Sequence, residues 1–221
     1  MNEFINLFAD SDPTNVATSV KLLLVLTVLS IAPGILVLMT SFTRIIIVLS
    51  FVRTSLATQQ MPPNQVLVGL ALFLSFFVMA PTLQEVNEEA LTPLFNEDIS
   101  LEEAYQNASD PMKEFMAKHT REKDLALFMN YAQMEKPESV QDIPLTTMVP
   151  AFAISELKTA FQMGFMIFVP FLVIDMAVAS ILMSMGMMML PPVMISLPFK
   201  ILLFVLVDGW YLIMQSLLEG F

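Results

Sequence analysis

Residues 174–200 read IDMAVASILMSMGMMMLPPVMISLPFK. Between Asp175 and Lys200 lie 24 residues without a charge, Met176 to Phe199. A membrane-spanning helix takes about 20 apolar residues, so length alone allows one crossing. Pro191 and Pro192 argue against it, because proline removes a backbone donor and blocks a continuous helix. The stretch reads instead as the tip of a hairpin. The midpoint between Asp175 and Lys200 falls between Met187 and Met188, so a chain folding back there sets both charges at one height. An ion pair bracing the hairpin is the expected result. The alternative is that Lys200 snorkels to the membrane surface and Asp175 meets another group.

The arms of this hairpin continue as uncharged runs. Thr159–Ile174 has no charge over 16 residues, and Ile201–Leu218 is broken only by Asp208. Two more runs precede them, Leu22–Met39 over 18 residues and Gln60–Gln84 over 25. The chain has 221 residues, 56% hydrophobic and 14% charged, with a mean hydropathy of +0.72. Soluble domains carry about 25% charged residues, so this is a membrane-class composition. Backbone polar groups find no water in a bilayer core, which favours helix. The expected fold is therefore all-α: membrane-associated helical hairpins with kinked or broken helices, four hydrophobic segments and an inserted acidic helical region. Residues 1–60 hold the first hydrophobic helix and a basic connection, and 61–83 the second helix. Residues 84–158 form the acidic, extracytoplasmic region, and 159–221 the C-terminal hairpin with its Met-rich loop. The N-terminal MNEFINLFADSDPTNVATSVK is acidic where a secretory signal needs positive charge. The first apolar run is thus expected to stay in the chain.

Some residues strain an arrangement of four plain crossings, with the last two joined by a tight turn at Pro191–Pro192. Pro33–Gly34 sits inside the first run, Arg44 and Arg53 bracket IIIVLSFV, and Asp175, Lys200 and Asp208 interrupt the last hairpin. A charge at the bilayer centre costs about 2.5–3.5 kcal/mol on insertion scales, so these groups are expected to face protein or water. Ser41–Gln60 holds two arginines and no acid, which places it on the cytoplasmic side. Residues 84–158 hold 15 of the 21 acidic residues and six of the 10 basic ones, and should face outward. There, SLEE at Ser100–Glu103 has the capping-box pattern. DP at Asp110–Pro111 reads as an N-cap followed by Pro at N1. Met112, Phe115, Met116 and His119, then Leu125, Phe128, Met129 and Ala132, make an apolar stripe. Two or three amphipathic helices are expected, ending before KPESVQDIP.

Methionine has three flexible torsions and a polarizable thioether, so it fills irregular space and re-packs cheaply. Met187, Met188 and Met189 follow Gly186 and precede two prolines. One copy closes nothing, but several copies around an axis would make an apolar constriction. Ordinary core packing is the competing explanation, and copper binding by thioethers a weaker one, since no His or Cys stands nearby.

The chain has no Cys and a single His, His119, which excludes thiolate chemistry, a His–His metal site and a convincing Ser-His-Asp triad. His119 reads as a packed or solvated side chain. Glu85, Glu88 and Glu89 read as a solvated helix end. A net charge of −11 argues against nucleic acid. No enzyme chemistry is evident, and no cofactor or metal is implied. A solute or ion transporter would use polar groups near mid-helix, for which Arg44, Asp175 and Asp208 are candidates. An assembly factor without a pore is a third possibility.

TRIIIVLSFVRTSLATQQMPPNQVLVGLALFLSFFVMAP, Thr43 to Pro81, and MGMMMLPPVMISLPFKILLFVLVDGW, Met185 to Trp210, resemble the two signatures of the FliP family, with similar injectisome counterparts. The resemblance covers nearly the whole chain. It implies a subunit of the flagellar type III protein export gate, in the bacterial inner membrane at the flagellar basal body. It implies a homo-oligomer, a pentamer, joined to FliQ and FliR subunits in a helical cone and neighbouring FlhB and FlhA. Unfolded export proteins would be the cargo. The family's gasket maps onto Met187, Met188 and Met189, with Met185 beside them, around the turn at Gly186, Pro191 and Pro192. Its acidic–basic hairpin pair maps onto Asp175 and Lys200. The resemblance also implies bent hairpins that stand largely above the bilayer plane once assembled.

Overall fold

The computed structural model describes residues 13–58, 61–134, 137–187 and 189–221. Among them every regular element is helical. The chain divides into two units, residues 1–37 and 38–221. In the first, α1 (Pro13–Met39) runs through Pro33 without a break. Leu23, Leu26, Leu29 and Ile31 are exposed along it. Two of its polar side chains bond to their own backbone, Thr27 to the Leu23 carbonyl and Ser30 to that of Thr27, both at 2.8 Å.

The second unit is built on α2 (Phe42–Ser55), which packs against α3 (Asn64–Val86) and most extensively against α7 (Leu145–Ser184). Ile45, Val48, Leu49 and Val52 of α2 are buried at helical spacing. On α7, Ala160 and Gly164 keep the facing surface small. A Cβ added at Gly164 would overlap the Phe51 ring, so the absent side chain sets how closely α2 approaches. α3 continues through a π turn (Asn87–Leu91) into α4 (Thr92–Phe95), one continuous helical run of 32 residues, apolar before Glu85.

The acidic region holds α5 (Leu101–His119) and α6 (Glu122–Tyr131). The capping box forms: Ser100 Oγ accepts from the Glu103 N–H at 3.2 Å, and Glu103 accepts from the Ser100 N–H at 2.9 Å. The expected second start at Asp110–Pro111 does not occur, because Pro111 lies inside α5. Buried side chains on both sides of it, Ala104 and Ser109 before, Lys113 and Met116 after, hold the helix continuous through the proline. Met116, Ile143, Met148 and Phe152 make the local core, with Phe115, Leu125 and Val149 packed on it.

α7 is the longest element, 40 residues, or about 60 Å at 1.5 Å per residue. That is roughly twice a hydrocarbon core. Its first turns therefore belong to the packed acidic region, and the helix passes unbroken through position 158. Pro150 and Pro170 lie within it. α8 (Pro192–Leu206) and α9 (Gly209–Glu219) follow, bent by 63° at a break where Asp208 adopts a left-handed φ of 50°. Among the described residues, two helices are long and apolar enough to cross a membrane, and up to four spans result if each bent pair counts as one.

Candidate functional site

α7 ends in a loop whose shape follows from one glycine. Gly186 has φ +75°, a left-handed value that costs other residues roughly 1–2 kcal/mol. There the Gly186 N–H donates to the Met183 carbonyl and the Met187 N–H to the Leu182 carbonyl, both at 3.0 Å, a Schellman termination. The reversal thus begins at Met185–Gly186. Pro191 and Pro192 sit at the start of α8, where a missing N–H costs nothing. Met185 is 61% exposed, Met187 40% and Met189 98%. Met188 lies outside the described residues.

Below this tip the two arms are joined by charge. Lys200 Nζ donates to Asp175 Oδ2 at 2.6 Å and to the Ser55 carbonyl at 3.1 Å. Ser196 Oγ donates to Asp175 Oδ1 at 2.5 Å. Lys200 is almost fully buried. Its pairing with a carboxylate and a carbonyl supplies acceptors that water would otherwise provide. The structure therefore brings Asp175 and Lys200 together, and adds Ser55 and Ser196.

A second buried pair was not evident from sequence. Arg44 Nε donates to Glu156 Oε2 at 2.7 Å, and Arg44 Nη2 pairs with Oε1. Nη1 donates to the Gly220 carbonyl at 2.6 Å, and the guanidinium carbon stands 3.8 Å from the centre of the Phe221 ring. The planar fork thus serves a carboxylate, a carbonyl and an aromatic face at once, which a lysine does not match. The signal in sequence was an arginine on an apolar helix and a lone acid in AFAISELKTAF.

His119 packs with Phe115 and Phe221, with ring centroids 4.9 and 5.3 Å away. Burial, with help from the Arg44 and Lys118 charges, lowers its pKa to about 4. No group of three or more His, Asp or Glu side chains able to hold a metal occurs among the described residues. Glu85, Glu88 and Glu89 are exposed. Of the polar groups a transporter would want at mid-helix, Arg44 and Asp175 are engaged by internal partners, and Asp208 marks the break before α9.

Together these features define an all-helical protein with apolar hairpins fit to cross a membrane, stiffened by internal ion pairs. The FliP family model matches residues 25–217. Flagellar biosynthetic protein FliP of Bacillus subtilis (strain 168) is 79% identical over 221 residues, all of both chains. That of Pectobacterium carotovorum subsp. carotovorum is 54% identical over 203 residues, 92% of this chain and 79% of the relative. That of Aquifex aeolicus (strain VF5) is 50% identical over 210 residues, 94% and 87% of the two chains. The chain belongs to the FliP family, which is not a family of enzymes.

Proposed function

We propose that this chain is a pore-forming subunit of the flagellar protein export gate, seated in the bacterial inner membrane at the basal body. Copies set their 183–198 loops around one axis, where Met185, Met187, Met188 and Met189 form a thioether collar. The collar blocks water and ions and yields to an unfolded flagellar protein. A pentamer with FliQ and FliR subunits, beside FlhB and FlhA, is the assembly the family resemblance implies.

The observation that carries this reading is the exposure of three described methionines on a loop whose base is braced by charge. Burying a Met side chain is worth about 1.5–3 kcal/mol, and this chain alone forgoes most of that at Met189. A surface built this way has its stabilising contacts elsewhere, against other copies or against a passing chain. A narrow apolar ring gates by dewetting, and thioethers re-pack around cargo of varied shape. Arg44 is taken up by Glu156 and Asp175 by Lys200, which favours this reading over a solute carrier.

Replacing Met187, Met188 and Met189 together with Ala tests it in cells. Ion leak during growth is expected to rise while assembled complexes survive. Unchanged leak from normally assembled complexes would overturn the collar.

A further inference from the structure

Lys158 stands one residue before the uncharged run Thr159–Ile174. It is exposed, and it lies within electrostatic reach of Arg121 and of exposed Lys123 at the start of α6. Arg121 pairs with Asp124 at 2.5 Å, and Asp124 also accepts from Ser155 at 2.6 Å. That buried carboxylate is the internal partner of the cluster, while Glu122 points into solvent. Arg121 Nε and Nη1 are buried without an acceptor among the described residues. Three cations held together over one engaged carboxylate are under-compensated. Orientation signalling does not explain them, since Lys and Arg set topology from the cytoplasmic side and this region is the acidic, outward one.

A second feature begins at the next residue along α7, Thr159. α7 and Ser216 of α9 line an open apolar groove of about 590 Å³ that begins at Thr159 and includes Gln162, Met163 and Met166. Ligand sites commonly measure about 300–1,000 Å³. Phe161 and Phe165 follow Lys158 at i+3 and i+7, one helix face, and are 55% and 63% exposed. Positive charge thus stands above an unfilled apolar channel at the level where a polar region meets an uncharged helix.

We propose that this face binds an anionic phospholipid, its phosphate held by the exposed ammonium groups of Lys123 and Lys158, with the buried Arg121 charge adding to the local positive field, and one acyl chain laid along the groove that begins at Thr159. The site rests on the membrane placement of the export-gate reading but not on the methionine collar. A cationic cluster near a membrane surface attracts anionic headgroups by roughly fivefold in affinity per Lys or Arg.

The test uses the purified full-length protein in neutral detergent, titrated with phosphatidylglycerol or phosphatidylcholine of equal chain length and followed by native mass spectrometry. The wild-type protein should bind phosphatidylglycerol at least about tenfold more tightly. K123Q/K158Q should lose about thirtyfold for phosphatidylglycerol and little for phosphatidylcholine. Gln162→Trp, which fills the groove, should weaken both lipids. Equal binding of the two lipids by the wild-type protein overturns the proposal, and that comparison needs no variant. So does full retention of phosphatidylglycerol by K123Q/K158Q. Glycerol phosphate binding as tightly as the lipid would show a free-phosphate site and overturn it too. Neither export nor ion leak enters these readouts, so this site and the collar stand or fall separately.

Discussion

Glu156→Gln measures what the buried Arg44–Glu156 pair contributes. Arg44 is 3% exposed and Glu156 0%. The variant keeps the shape and one carbonyl acceptor, but it removes the charge and turns an NH2 group toward a guanidinium donor. One charge-assisted hydrogen bond is lost, worth about 1.5–3 kcal/mol. Arg44 meanwhile stays buried with most of its desolvation cost. Breaking such a pair from one side costs about 3–5 kcal/mol. The Gly220 carbonyl and the Phe221 ring remain beside Arg44, so the expected loss lies near the lower end, about 3 kcal/mol. At 2–4 °C per kcal/mol for a chain of this size, Tm in detergent should fall by roughly 6–12 °C. Replacing both partners, R44M/E156M, should recover most of the loss, since no unpaired charge remains. A Glu156→Gln protein that melts with the wild type, or a double variant that melts below either single one, would refute the assignment.

At the other pair, Asp175→Asn or Lys200→Met alone should destabilise by about 3 kcal/mol, and the two together by less. Thermal melting of all three decides it, and a double variant as damaged as the worse single one contradicts the bracing role. His119 gives a pH signature. Its pKa of about 4 lies below the ordinary 6.5, so the unfolded chain takes up the proton first as pH falls. The stability due to neutral His119 is complete above pH 6.5 and drains away toward pH 4. His119→Gln should therefore flatten the melting profile between those values, and parallel profiles would exclude His119 as its source. Gly186→Ala forces a side chain into a left-handed backbone at about 1–2 kcal/mol. Tm should drop by roughly 2–8 °C, with raised ion leak in cells, and normal leak would separate loop shape from sealing.

The hairpin was legible because its information is local. Two charges symmetric about a run of methionines and prolines need only a chain reversal to meet. Ser100–Glu103 was legible for the same reason, since both capping bonds join residues three apart. Arg44 and Glu156 are 112 positions apart. Which acid meets which base across that distance is decided by the packing of α2 on α7, and hydropathy carries no record of it. The reach of α7 back to Leu145 was hidden likewise. Ser155, Glu156 and Lys158 read as the end of a polar segment, whereas the fold buries the first two against α6 and α2. Asp110–Pro111 misled because a strong local start signal was overridden by buried neighbours on both sides. Gly186 was legible only as part of the turn before the methionines; its left-handed backbone was the larger reason for it, and a glycine just past a helix end was the available sign.

Helix α2 is fastened near both of its ends. Arg44, in its first turn, is tied to Glu156 and Gly220, and the carbonyl of Ser55, its last residue, receives Lys200. It therefore lies along α7 as a splint screwed down at two points, with Phe51 seated over Gly164 between them. A splinted limb does not flex along its shaft. In the proposed gate, the movement that admits a cargo would fall to the tip beyond Asp175 and Lys200, where the side chains are the softest the chain possesses.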